Sequence, residues 1–106
     1  MKVIVAGTDE HDIASAIEAE GHTVAQVDVA NRSALEEAGV DGADAFVVTE
    51  VQQATAIAVA RDRNEDLRVV VYADGSLPDF ARGQADLLVD PDLLDPAAVA
   101  EELDSQ

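Results

Sequence analysis

The sequence predicts an α/β fold, a parallel sheet with helices on both faces that makes a three-layer sandwich. Three observations predict it. Short valine-rich apolar runs recur at 3–6, 23–29, 46–48, 69–72 and 87–89. The segments between them carry helical spacing and helix start and stop residues. The first run, VIVA, is continuous rather than alternating, as in strands covered on both faces.

Each element has its own local reason. The first run ends in Gly7, and over 12–20 Ile13, Ala16 and Ile17 share one helical face before Gly21 stops the helix. The β-branched stretch 23–29 is strand two. Ser33 and Glu36 stand at capping-box spacing, which predicts a short helix to Ala38 ahead of Gly39. Phe46, Val47 and Val48 form strand three. Thr49 and Gln52 repeat the capping-box spacing and open a helix through Arg63, with Ala54, Ile57, Ala58 and Arg61 along one side. Strand four covers 69–72, a weaker helix 78–82, and strand five 87–89. Asp95 and Pro96 supply an N-cap and a first helical residue for a last helix carrying Ala98, Val99, Glu102 and Leu103. The elements predict a single domain over 1–104, with 105–106 as a loose C-terminal tail.

Composition limits what such a domain can do. Twenty-three acidic residues against six basic ones give a formal net charge of −17 on 106 residues, yet 48% of the chain is hydrophobic and organised in runs. The acid therefore coats a folded core rather than marking disorder. Lys2 is the single lysine beside five arginines, alanine and valine dominate the apolar residues, and the aromatics are Phe46, Tyr72 and Phe80. That profile resembles cytoplasmic proteins of extremely halophilic archaea. At molar salt the Debye length falls to about 3 Å, so crowded carboxylates cease to repel strongly; the expectation is a salt-requiring fold. The same charge disfavours nucleic acid and anionic membrane as partners. Cysteine is absent, which removes disulfides, thiol catalysis and thiolate metal sites. No apolar run approaches the roughly 20 residues of a membrane span or forms a secretory core, so a soluble cytoplasmic domain is expected.

The segments KVIVAG, EAEGHTVAQVD, LEEAGVDGADAFVVT and GQADLLVDPDLL resemble successive pieces of the NAD-binding N-terminal domains of potassium-uptake regulators, the TrkA-N or RCK-N family. The resemblance covers about residues 2–103. It implies a Rossmann-like sheet that binds NAD or a related nucleotide, often as a homodimer. Between strand two and LEEAG that family has a further helix and strand for which Asn31 to Ala34 leave no room. The sheet then shortens to five parallel strands in the order 2-1-3-4-5, as in flavodoxin-like folds.

The glycine loop departs further. Gly7 matches the first glycine of G-x-G-x-x-G, but Asp9 and Asp12 stand at the other two positions, with Glu10 between them. They bring bulk and negative charge where a pyrophosphate would sit, and aspartates at a helix start can satisfy the amides that a phosphate would use. The phosphate site is expected to be filled by the protein itself. Asp28, 21 positions after Gly7, ends strand two where an acidic side chain would grip a ribose hydroxyl; the competing reading is a solvated loop acid.

Ligands of doubly wound sheets bind beyond the strand ends at the switch point, here between strands one and three. Candidate binding residues are therefore Gly7, Thr8, Asp9, Asp28, Thr49 and Glu50, with His11 beside them. Asp9, Glu10 and Asp12 are candidate ligands for a divalent cation such as Mg²⁺ or Ca²⁺, against the alternative that acids gather at any loop of so acidic a chain. A receiver domain of two-component signalling uses the same edge, with an acidic pair after strand one, a phosphorylatable aspartate after strand three and a lysine after strand five. This chain offers Asp9 and Glu10, but Glu50 and then Asp90-Pro91 at the other places, which disfavours phosphotransfer. His11 and His22 lack an evident catalytic partner, and no G-x-S-x-G elbow surrounds any serine. The expectation is a non-catalytic regulatory or interaction domain, with homodimerisation as one mode of contact. The alternative is a binder of a nucleotide or small molecule that uses a cation to offset the acidic loop.

Overall fold

The computed structural model describes residues 1–73 and 83–104. Five strands, β1 (Lys2–Ala6), β2 (Thr23–Val27), β3 (Ala45–Val48), β4 (Arg68–Tyr72) and β5 (Leu87–Val89), pair in parallel in the order β2-β1-β3-β4-β5. Among the described residues four helices flank them: α1 (Ile13–Ala19), α2 (Arg32–Ala38), α3 (Thr55–Arg63) and α4 (Pro96–Asp104). This is the expected α/β sandwich with the expected strand order. The helix expected over 78–82 and the tail at 105–106 lie outside the described residues.

Strand side chains alternate between two cores because successive Cβ atoms leave opposite faces of a sheet. Ile4, Ala6, Phe46, Val48, Val69 and Val71 pack with Leu35 of α2 and Ala56, Ile57 and Ala60 of α3. Val3, Val5, Ala45, Val47, Val70 and Tyr72 pack with Ile13, Ala14 and Ile17 of α1 and Val99, Ala100 and Leu103 of α4. Both faces of β1 and β3 are thus fully covered, which explains runs with no polar alternation. Register places Val3 opposite Val24 on β2 and Ala45 on β3, and Val70 opposite Leu87 on β5. Small residues face the sheet from α3, which leaves Ala58 exposed instead of on the packed side.

Two helix starts differ from the capping-box expectation. α2 is capped by Asn31, whose Oδ1 accepts the Ala34 N–H at 2.8 Å, so the helix opens before Ser33. Asn31 adopts the extended backbone (φ −97°) that an N-cap requires. Thr49 caps no helix; its hydroxyl donates to the Ala6 carbonyl across the strand ends, and a 3-10 turn, Val51–Gln53, precedes α3. At the last helix the cap is as expected, with Asp95 Oδ1 accepting the Ala98 N–H at 2.9 Å. β2 stops at Val27, short of residue 29, because Gln53 takes over the next backbone groups. Its Nε2 donates to the Asp28 carbonyl at 2.6 Å and its Oε1 accepts the Ala30 N–H at 2.7 Å.

Polar ties hold the layers in register. Arg61 donates to Asp86 at 2.7 Å and to the Gln84 carbonyl at 2.9 Å, while Asp86 also accepts the Val69 N–H at 2.8 Å. One carboxylate thereby links α3, β4 and the entry to β5. Asn64 closes the end of α3 by donating to the Val40 and Ala43 carbonyls.

Candidate functional site

The site forms where the strand order reverses, beyond the carboxyl ends of β1 and β3. Gly7 turns the chain there at φ 106°, and an added Cβ would collide with the Thr49 hydroxyl oxygen and come within 3.0 Å of Glu50 Cγ. Both the backbone angle and the close neighbours require glycine. Thr49 fastens the two strand ends together. Its N–H and its hydroxyl both donate to the Ala6 carbonyl, at 2.9 and 2.7 Å, and its hydroxyl accepts the Asp9 N–H at 3.2 Å.

Asp9 follows in a left-handed conformation (φ 54°), and its carboxylate reaches the start of α1. Oδ1 accepts the Ile13 N–H at 2.7 Å, while Oδ2 accepts the Ala14 N–H at 3.1 Å and Gln26 Nε2 at 3.3 Å. The Ile13 and Ala14 amides belong to the first turn, which has no internal acceptor, and a helix start favours negative charge. A glycine loop presents such amides to a phosphate; here a side chain of the same loop holds them. Asp12, at φ 57°, makes no side-chain cap bond. Of the two aspartates in glycine positions, only Asp9 does the capping. The reason is the turn closed by the Asp12 N–H on the Asp9 carbonyl at 3.1 Å, which sets the Asp9 side chain beneath the helix.

The expected cation cluster does not assemble. Among the described residues no group of three or more His, Asp or Glu side chains could hold a metal ion. Asp9 spends both oxygens on amides, which separates it in role from Glu10 and Asp12. The crevice itself is about 180 Å³ and is lined by Thr8, Glu10, His11, Thr49 and Glu50, together with Gln52 and Pro91. Small-molecule sites run from roughly 300 to 1,000 Å³, so this crevice among the described residues lies below that range. Glu50 Oε1 accepts from Gln53 Nε2 at 3.1 Å. The Asp28 carboxylate is exposed and does not line the crevice; its carbonyl serves the Gln53 clamp.

His11 is exposed and stands edge-on to Tyr72, with ring centroids 5.8 Å apart at 80°. Tyr72 is buried and its hydroxyl donates to the Leu94 carbonyl at 2.8 Å. Burial pushes the phenol pKa above its ordinary 10.0, and the negative charges of Asp95 and Asp9 push the same way. His22 lies apart, its Nδ1 at 3.1 Å from the Met1 amino group. Of the expected residues the crevice is lined by Thr8, Glu10, His11, Thr49 and Glu50, whereas Gly7, Asp9, Asp12 and Asp28 are outside its lining; Gln53 holds Glu50 and Gln26 holds Asp9, two contacts the motif reading missed. The consecutive Gln52-Gln53 pair, four residues beyond the end of a buried strand, was the available signal.

The strand order, the two helical layers and a crevice at the β1/β3 switch point define a flavodoxin-like α/β domain. The model of DUF7126, a family of unknown function, matches residues 3–103, and the chain belongs to that family. No curated protein matches the sequence. Among solved structures, a CheY-like response regulator receiver domain from Methanospirillum hungatei JF-1 superposes with a TM-score of 0.76 at 12% identity, covering 98% of this chain and 90% of that one. An atypical orphan response regulator, described as having a phosphorylation-independent regulatory mechanism, gives 0.72 at 14%, covering 99% and 93%. A response regulator from Burkholderia pseudomallei, with a phosphorylated aspartate, calcium and citrate, gives 0.71 at 19%, covering 98% and 71%. At these identities the likeness establishes the fold. It does not single out the TrkA-N family, since one fold hosts many unrelated functions.

Proposed function

We propose that this chain is a non-catalytic regulatory or interaction domain on a receiver-like frame, in which the helix-start amides that a glycine loop would offer to a phosphate are held by the domain's own carboxylate. One observation carries the reading: Asp9 accepts the Ile13 and Ala14 amides at the point where a phosphate would bind. Glu50 and Asp90-Pro91 at the ends of β3 and β5 support it, since a receiver needs an aspartate acceptor and a lysine there. The phosphorylation-independent regulator of the same fold offers a precedent for signalling without phosphotransfer. The TrkA-N-like wording of the chain supports descent from a nucleotide-binding domain whose glycine loop was lost, and the charge of −17 supports work in the cytoplasm at high salt.

The test is thermal melting in molar KCl during titration with NAD(H), NADP(H), ATP, AMP and acetyl phosphate, each with and without Mg²⁺. Ligand that binds only the folded state raises the midpoint with concentration, and the expected result is no shift. A saturable rise that needs Mg²⁺ would support the alternative instead, in which a cation offsets the acidic loop and a nucleotide binds above it. The acidic rim at Glu10 and Glu50 is the observation in favour of that alternative.

A further inference from the structure

A second opening, about 500 Å³, lies beside the carboxyl end of β2, between the chain after that strand and the start of α3. Val29, Ala30, Ala56 and Val59 form its apolar surface, and Val29 is 64% exposed. None of its lining residues is acidic, in a chain where 23 of 106 residues are. Two of the polar side chains around it are committed elsewhere: Gln53 clamps Asp28 and Ala30, and Asn31 caps α2. Arg32 stands at the rim, 3.5 Å from Asp62 in an exposed pair that costs little to exchange.

At the opposite edge of the sheet, the loop after β5 carries the complementary chemistry. Leu93 is 80% exposed and Leu94 46%, flanked by Asp90, Asp92 and Asp95. Leucines in an acidic loop are repelled by most of this surface, but an acid-free apolar groove with an arginine at its rim accepts both features. We infer that this groove receives the Leu93-Leu94 loop of a second copy of the same chain. The inference deepens the interaction reading above by naming the partner, at an opening that shares only Gln52 with the crevice beyond β1 and β3. β2 and β5 are the two outer strands, so the contact is head-to-tail and generates a ring or a row of copies. Two leucines bury little area, which makes the contact weak and concentration-dependent.

Sedimentation velocity in molar KCl, from micromolar to near-millimolar protein, tests it. The wild-type mass should rise with concentration above the monomer's 11.1 kDa. Leu93→Asp alters only the loop and Val29→Asp only the groove, and each alone should remain monomeric. Mixed in equal amounts they should form a complex of twice the monomer mass and stop there, because one intact loop meets one intact groove. Circular dichroism and melting establish that the variants fold, and Thr55→Glu, at an exposed groove position where a helix start favours acid, replaces Val29→Asp if that variant does not. A monomeric wild type, self-association untouched by either substitution, or a mixture that stays monomeric would each overturn the inference. The ligand titration proposed above, run on the Leu93→Asp variant, judges the crevice reading separately.

Discussion

Asp9 and Asp12 show how two identical residues, both with positive φ and three positions apart, acquire opposite energetic roles. Asp9 satisfies two helix-start amides, whereas Asp12 bears left-handed backbone and its side chain caps nothing. Asp9→Ala should lower stability by about 1–2 kcal/mol, the usual loss on removing a capping acceptor. Asp12→Gly should leave the melting midpoint unchanged or raised, since relief of left-handed strain of about 1 kcal/mol offsets the greater freedom of glycine in the unfolded chain. Thermal or urea melts of both variants check this, and equal losses would contradict the division of roles. Tyr72 makes a prediction in pH. Its folded pKa is raised above 10.0, so its contribution is complete below the unfolded value and is lost as pH rises through the folded one. Wild type should therefore lose stability more steeply above about pH 10 than Tyr72→Phe does. At neutral pH that variant should be about 1 kcal/mol less stable, for want of the hydrogen bond to Leu94.

At the scale of elements, helix starts separate what spacing suggests from what the backbone selects. Ser33 and Glu36 have capping-box spacing, but Asn31 holds the extended backbone and accepts the Ala34 N–H. Asn31→Ala should cost about 1 kcal/mol in urea melts, and Ser33→Ala only a few tenths. Thr49 likewise looked like a cap, and became instead the fastening between β1 and β3. Spacing alone could not reveal this, since the competing acceptor, the Ala6 carbonyl, is 43 residues away in sequence. By contrast Asp95 and Pro96, whose capping partner is only three residues distant, were legible without the fold.

For the whole molecule the governing quantity is charge on a small surface. An accessible area of 5477 Å² shared among 23 carboxylates leaves about 240 Å² each, with six cations to offset them. Three of the arginines already form pairs, Arg32 with Asp62, Arg61 with Asp86 and Arg63 with Asp41. The remaining repulsion is long-ranged in dilute buffer, where the Debye length at 0.01 M is about 30 Å, wider than the 28 by 28 by 24 Å domain. We expect the melting midpoint to climb from dilute buffer to molar KCl and most of the gain to come early, as screening falls below the spacing of charges. A midpoint indifferent to salt would show that local pairs, and not the net field, set stability.

The sequence by itself determined the strand and helix alternation, the acid coat and the aspartates that stand where a glycine loop has glycine. Those properties are written in composition and in contacts between near neighbours: apolar runs must be covered, and an aspartate cannot serve as the glycine that lets backbone approach a phosphate. Only the tertiary structure decided which aspartate caps α1, that Asp28 stands outside the crevice, that Gln53 ends β2, and that a groove free of acidic lining opens beside the end of β2. Each of these depends on groups far apart in the chain competing for the same backbone amide or carbonyl, and that competition is settled by distances that exist only once the sheet has formed.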